Sequence, residues 1–195
     1  EILETLKKYS QSHQTIVYLT DLGFSMKDAM TIYNFYKDKT IPKVEINPYK
    51  IMDDLEEITF PKIDKIHQNL NIDDLDKSRI KACIYYSMKE LLFLNGDTYL
   101  YIDEIKKKTE TYLGESFQEQ EFLGYIDELI LEDKVVLERD KVYTKTLYEA
   151  EEYISKKMYQ FVQFGETKID DIDLKIEQLQ NEENISFAGR AVSEP

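Results

Sequence analysis

Apolar residues at Ile16, Leu19 and Leu22 recur at helical spacing and stop at Gly23, a residue suited to the left-handed conformation that closes helices. Ser25 and Asp28 follow in the Ser-x-x-Asp spacing of a capped helix start, and Ala29, Ile32, Tyr33 and Tyr36 give the next helix an apolar face. The pattern predicts a helix, a tight hairpin and a helix. A second unit of the same kind is expected from Pro48 to Leu70: a short helix over Pro48–Leu55, a turn over Glu56–Thr59, and a helix over Phe60–Leu70. Pro61 falls in the first turn of that last helix, and Ile63, Ile66 and Leu70 form its buried stripe.

Ile80, Ile84, Met88 and Leu91 mark a long amphipathic helix over Asp76–Leu94, closed by Asn95-Gly96. The texture then changes. Thr98–Tyr101 is a short β-prone run, helices are predicted over Asp103–Leu113 and Gln118–Asp133, and Val135–Leu137 and Val142–Thr144 flank Glu138–Lys141 as a hairpin. That order is the order of a winged helix. Helices over Leu147–Phe164 and Ile169–Gln180 follow; Ile169, Ile172, Ile176 and Leu179 fit an ordinary docking helix better than a coiled coil, because fewer than three heptads are present. The expected fold is therefore mainly α. A tandem helix-hairpin-helix-like module occupies residues 1–73, a winged-helix-like module with a small β-hairpin 74–146, C-terminal helices 147–183, and a loose tail 184–195.

Composition narrows the function. The 195 residues are 42% hydrophobic without any apolar run long enough to cross a bilayer, and a single cysteine, Cys83, excludes an internal disulfide. A cytoplasmic protein with no membrane partner is expected. Glu1 in place of Met suggests an excerpt of a longer chain or a processed product. The net charge of −14 disfavours tight nucleic-acid binding by the whole surface, since phosphate neutralisation supplies most of such affinity. The charge is unevenly spread: residues 1–72 hold 9 Lys/Arg against 11 Asp/Glu, and residues 73–195 hold 16 against 28. DNA contact is expected in the first third.

No catalytic site is predicted. None of the six glycines begins a Gly-Lys-Ser or Gly-Lys-Thr phosphate loop, so this stretch has no cradle for ATP. One Cys with His13 and His67 cannot build a usual four-ligand zinc set, and Asp170, Asp171 and Asp173 lack the glycine and closing glutamate of an EF-hand. No metal is expected. A hairpin offers different chemistry, because a tight turn presents N–H groups at a helix N-terminus, where a phosphate oxygen can be held without sequence preference. Gly23, Phe24 and Ser25, with Lys27 just beyond, are the predicted weak DNA-binding residues. The second turn carries Glu57 and Thr59 instead. A carboxylate ~5 Å from a phosphate costs about 1 kcal/mol at the dielectric of water and about 3 kcal/mol at an effective value near 20, so that turn is expected to be structural. The Gln118–Asp133 helix carries six acids and no Lys or Arg. It would be repelled by a major groove and is expected to dock on protein.

Several segments together resemble the RecD-like bacterial DNA helicases related to the alpha subunit of exodeoxyribonuclease V. They are Leu22-Gly23-Phe24-Ser25 with Ala29, Ile32, Tyr33 and Tyr36; Asn47-Pro48-Tyr49-Lys50-Ile51; and Ile58-Thr59-Phe60 with Asp64 and Ile66. Arg79-Ile80-Lys81-Ala82, Gly96-Asp97-Thr98-Tyr99-Leu100, and Val142-Tyr143 with Leu147-Tyr148 and Ala150-Glu151 complete the set. The resemblance covers roughly Thr15 to Ile154 and departs from the family at Glu57-Ile58-Thr59-Phe60, where Gly-Ile-Gly-Phe is usual. It implies that residues 147–183 lead to a RecA-like motor absent from this sequence, and that the parent unwinds DNA from five-prime to three-prime in repair or recombination. ATP and magnesium would be cofactors of that motor only. The partners it implies are DNA, held weakly and non-specifically, and the motor domains of the same chain. A freestanding protein-interaction adaptor is the alternative, and a transcription regulator comes third.

Overall fold

A computed structural model describes residues 2–70, 75–163 and 178. The chain divides into two compact units, Glu1–Ala150 and Glu151–Pro195. The predicted helix over Ile169–Gln180 and the tail over 184–195 lie outside the described residues, apart from the helical Gln178.

The first unit opens with α1 (Ile2–Leu22), which ends where the apolar spacing predicts. Gly23 takes φ +113°, its N–H donates to the Thr20 carbonyl at 3.0 Å, and the Phe24 N–H donates to that of Leu19 at 3.1 Å. This pair of bonds is a Schellman closure, and the buried Leu19 and Phe24 supply its usual apolar contact. Next comes α2 (Met26–Tyr36), with Ala29 and Ile32 buried. Lys37 closes it at φ +52° and leads through a 3-10 turn (Lys37–Lys39) into α3 (Thr40–Ile46). The sequence pattern predicts no element where α3 lies; Pro42 sits near its start, where a missing N–H costs nothing.

The second hairpin is built from a 3-10 turn (Pro48–Lys50) running into α4 (Ile51–Asp54), a turn, and α5 (Phe60–Asp64). The predicted helix over Phe60–Leu70 is thus shorter than expected. After Asp64 the chain tightens to i to i+3 bonds, Ile66 N–H to the Ile63 carbonyl at 3.0 Å and Asn69 N–H to that of Ile66 at 2.9 Å. The tightening keeps both Ile63 and Ile66 buried and swings Asn69 to α1, where its Nδ2 donates to the Leu22 carbonyl at 2.9 Å.

The long α6 (Leu75–Asn95) follows, closed by Gly96 at φ +72°. Then come α7 (Ile102–Leu113), α8 (Glu119–Leu131) and the antiparallel pair β1 (Val135–Glu138) and β2 (Lys141–Thr144), in register from Val135 opposite Thr144 to Glu138 opposite Lys141. The β-prone run before α7 contributes one bridge, with Leu100 and Val142 exchanging N–H to carbonyl bonds of 2.9 and 2.8 Å. The element order matches the expected one. Asp133, at φ +57°, ends α8 in a second Schellman closure, in which the Lys134 N–H reaches the Leu129 carbonyl at 3.0 Å. The last described helix is α9 (Lys145–Gln163).

One apolar cluster runs through the first unit, from Leu19, Ile32 and Phe60 through Ile84 and Met88 to Ile105, Phe122, Ile126 and Val142. The hairpins and the segment from α6 to β2 therefore share a core. No helix among the described residues is long and apolar enough to cross a membrane.

Candidate nucleic-acid interface

The first hairpin offers less main chain than its sequence suggests. The N–H groups of Gly23 and Phe24 are both used to close α1, and the Phe24 side chain is only 5% exposed. Gly23 is needed for its positive φ and for packing, since a Cβ there would lie 3.4 Å from Ile66 Cγ2. Ser25 is the N-cap of α2. Its Oγ accepts from the Asp28 N–H at 3.1 Å and donates to Asp28 Oδ2 at 2.7 Å. Met26 and Lys27 begin the helix, are exposed, and hold the first two N–H groups, which have no intrahelical acceptor. Of the four predicted site residues, Ser25 and Lys27 are exposed at the helix start, Gly23 shapes the turn, and Phe24 anchors it from below.

Asp28, which the sequence marks only as part of a cap, lies beneath these residues. It is 8% exposed, and Lys62 of α5 reaches it across the two hairpins, Nζ to Oδ1 2.7 Å, while also donating to the Glu57 carbonyl at 2.9 Å. Burial works to raise the Asp28 carboxyl, but the hydrogen bonds from Lys62 and Ser25 outweigh it and hold its pKa below the ordinary value. The acid beneath the turn is thereby neutralised by a cation of the second hairpin. A phosphate approaching Met26 and Lys27 meets a helix N-terminus and Lys27 without an uncompensated carboxylate behind them. No sequence signal announced this pair, whose members stand 34 positions apart.

Tyr49, Asp64 and Arg79 are brought together in a second cluster. Arg79 forks onto Asp64, Nε to Oδ1 2.6 Å and Nη2 to Oδ2 3.0 Å, and the Tyr49 hydroxyl donates to Oδ1 at 2.9 Å and lies 3.3 Å from His67 Nδ1. Asn47 caps the turn before Tyr49 through its Oδ1 and donates to Ser78 Oγ at 3.0 Å. Burial pushes the Asp64 carboxyl up, yet Arg79 and Tyr49 bring it below its usual value; burial and the Asp64 charge raise the Tyr49 phenol. These residues tie the second hairpin to α6. They are structural in geometry, since Asp64 is answered on both oxygens.

A cavity of about 280 Å³ beside them is lined by Lys50, Lys81 and Lys134, but Lys134 is held by Asp53 at 2.8 Å and Lys81 by Glu132 at 2.6 Å and Glu128 at 3.0 Å. Anion binding there would have to displace carboxylates. The same pairs explain the acidic α8: Glu128 and Glu132 face α6 of the same chain. Among the described residues, no group of three His, Cys, Asp or Glu side chains is placed to hold a metal ion. Cys83 is buried in the core, and that burial pushes its thiol up to about 12.

Two successive helical hairpins, joined by a cation from one to an acid of the other, make this a helix-hairpin-helix domain. Residues 8–99 match the family model of the ATP-dependent RecD2 DNA helicase HHH domain. The matched span runs from α1 through both hairpins and α6, and it supports the N-terminal region of a RecD-like helicase, as the resemblance implied.

Proposed function

We propose that the chain is an accessory region of a RecD-like DNA helicase that gives weak, sequence-independent DNA contact through its first hairpin and docks on the motor of the same parent chain. The observation that carries this reading is the capped start of α2, where exposed Met26 and Lys27 sit over an Asp28 neutralised by Lys62. Helix-hairpin-helix domains generally bind DNA, which fits the match over residues 8–99. The winged-helix-like segment serves docking rather than groove reading, because its α8 spends Glu128 and Glu132 on Lys81 and shows further acid outward at Glu119, Glu121 and Asp127. ATP and magnesium belong to the parent motor, which acts from five-prime to three-prime in repair or recombination, in the cytoplasm.

Anisotropy of labelled duplexes of unrelated sequence tests the contact: weak binding is expected, with dissociation constants of roughly 10⁻⁴–10⁻⁶ M that differ little between sequences and weaken with salt. Strong preference for one sequence, or no binding at about 25 mM salt, would overturn the reading. The codons downstream of this sequence test the parent. A phosphate loop there is expected, whereas a stop codon favours the freestanding adaptor.

A further inference from the structure

Beside the second hairpin the surface has the opposite character. Phe93, in the last turn of α6, is 87% exposed. Three adjoining hollows, of about 320, 460 and 550 Å³, share Lys89 as a lining residue; they begin at the second turn, on Glu56, Ile58 and Thr59, and end on Leu147. The outer two have an apolar floor, Met52 and Ile58 in one and Leu92 in the other, all buried, while the middle one is lined mostly by polar side chains. The mouth is acidic. Glu56 at the turn and Asp97 beyond Gly96 are exposed and have no ion-pair or hydrogen-bond partner among the described residues. Of the cations nearby, Lys134 is held by Asp53, and Lys89, against the Tyr85 ring at 5.1 Å, keeps its charge, so the unpaired carboxylates Glu56 and Asp97 outnumber the one cation without a carboxylate partner among the described lining residues.

We propose that this groove is a docking site for a protein segment that presents apolar side chains flanked by Lys or Arg. Free carboxylates at both ends of the groove oppose a phosphate backbone and favour a basic partner. An exposed phenylalanine above a buried apolar floor is the kind of anchor that dominates binding when covered. The second hairpin, whose turn carries Glu57 and Thr59, thus has a binding role with a different class of partner. This inference does not depend on DNA contact by the first hairpin.

The test uses the whole 195-residue chain and a short fluorescein-labelled amphipathic peptide with Leu and Phe on one face and Lys on its flanks, beside a counterpart with Glu for every Lys. The Lys peptide is expected to bind and the Glu peptide to bind at least about tenfold more weakly. Phe93→Ser alone, and Glu56→Lys with Asp97→Lys, should each weaken the Lys peptide about fivefold or more. Leu131→Ser, at a leucine 86% exposed on α8, and Asp127→Lys are the controls and should leave it within about twofold. Since a chain of charge −14 attracts any basic peptide, equal losses in the groove variants and the controls would overturn the proposal, as would absence of binding or equal binding of the Glu peptide. All five are surface substitutions, and circular dichroism confirms that each of the four variants is folded. DNA binding should be unchanged by Phe93→Ser, which separates failure here from failure of the DNA reading.

Discussion

The two hairpins share a plan and divide the work. Each places a phenylalanine beneath its turn, Phe24 and Phe60, both buried, yet the residues around them differ. The first turn is closed by Gly23 and capped by Ser25, which leaves a positive helix end at the surface. The second runs through Glu56 and Glu57, its Thr59 makes no side-chain cap, and its helix begins with Phe60-Pro61 packed into the core. Lys62 of the second hairpin crosses to Asp28 of the first. The lesson is that a turn carrying Glu57 and Thr59 in place of glycine still has work to do. The second hairpin's Lys62 compensates the ionised Asp28, its Asp64 carries the network to α6, and the positive helix end is left to the first.

If the second hairpin is the structural one, its core residues should be the costly ones to change. Phe60→Ala removes a ring that is 1% exposed and packs against Tyr49, Tyr86 and Tyr112, and should lower the unfolding free energy by about 3–5 kcal/mol in urea titrations. A loss below about 1 kcal/mol would mean that this hairpin is not part of the core. Arg79→Ala comes next, at about 2–3 kcal/mol, because it strips Asp64 of a forked partner while both groups keep some solvent. Since the Asp64 carboxyl is held below its ordinary value, its contribution is present above the unfolded carboxylate pKa near 3.9 and is lost as pH falls through the native value. Stability should therefore decline on acidification below about pH 4, and Asp64→Asn should show a shallower decline over the same range. At the first hairpin, Ser25→Ala should cost about 1 kcal/mol by removing the cap of α2, measured as a shift in thermal midpoint. The smallest and most diagnostic change is Lys62→Met. It should weaken DNA binding several-fold although Lys62 belongs to the other hairpin, because Asp28 would then stand uncompensated behind the site; an unaltered affinity would break the link drawn between the two.

Much of this was legible in the sequence. The end of α1, the cap of α2, the extent of α6 and the β-hairpin all follow from local signals: a glycine after an apolar stripe, a Ser-x-x-Asp start, a period near 3.6, and β-branched runs around a turn. What local patterns did not show was non-local. α3 has neither a clean stripe nor a cap, and after α5 the chain tightens to i to i+3 bonds that bring Asn69 to the Leu22 carbonyl of α1, a contact no local pattern encodes. The Asp28–Lys62 pair and the Tyr49–Asp64–Arg79 network exist only once distant elements meet. Tyr49, Asp64 and Arg79 did stand among the residues that carried the family resemblance, so their importance was visible before their contacts were. Phe24 shows the reverse: named for the interface, it is part of the core that holds the interface in shape.

The central claim, that the first hairpin is the surface that meets DNA, is tested most directly by Lys27→Glu in fluorescence anisotropy with one labelled duplex at about 50 and about 200 mM salt. Lys27 is exposed at the second position of α2, so the change leaves the core and the Ser25 cap in place. The expected result is weaker binding and a slope of log affinity against log salt that is shallower by about one unit, with Lys134→Glu, whose lysine is already paired with Asp53, leaving both nearly as in the wild type. Wild-type binding that Lys27→Glu leaves unchanged in both affinity and slope would contradict the account and make the first hairpin structural.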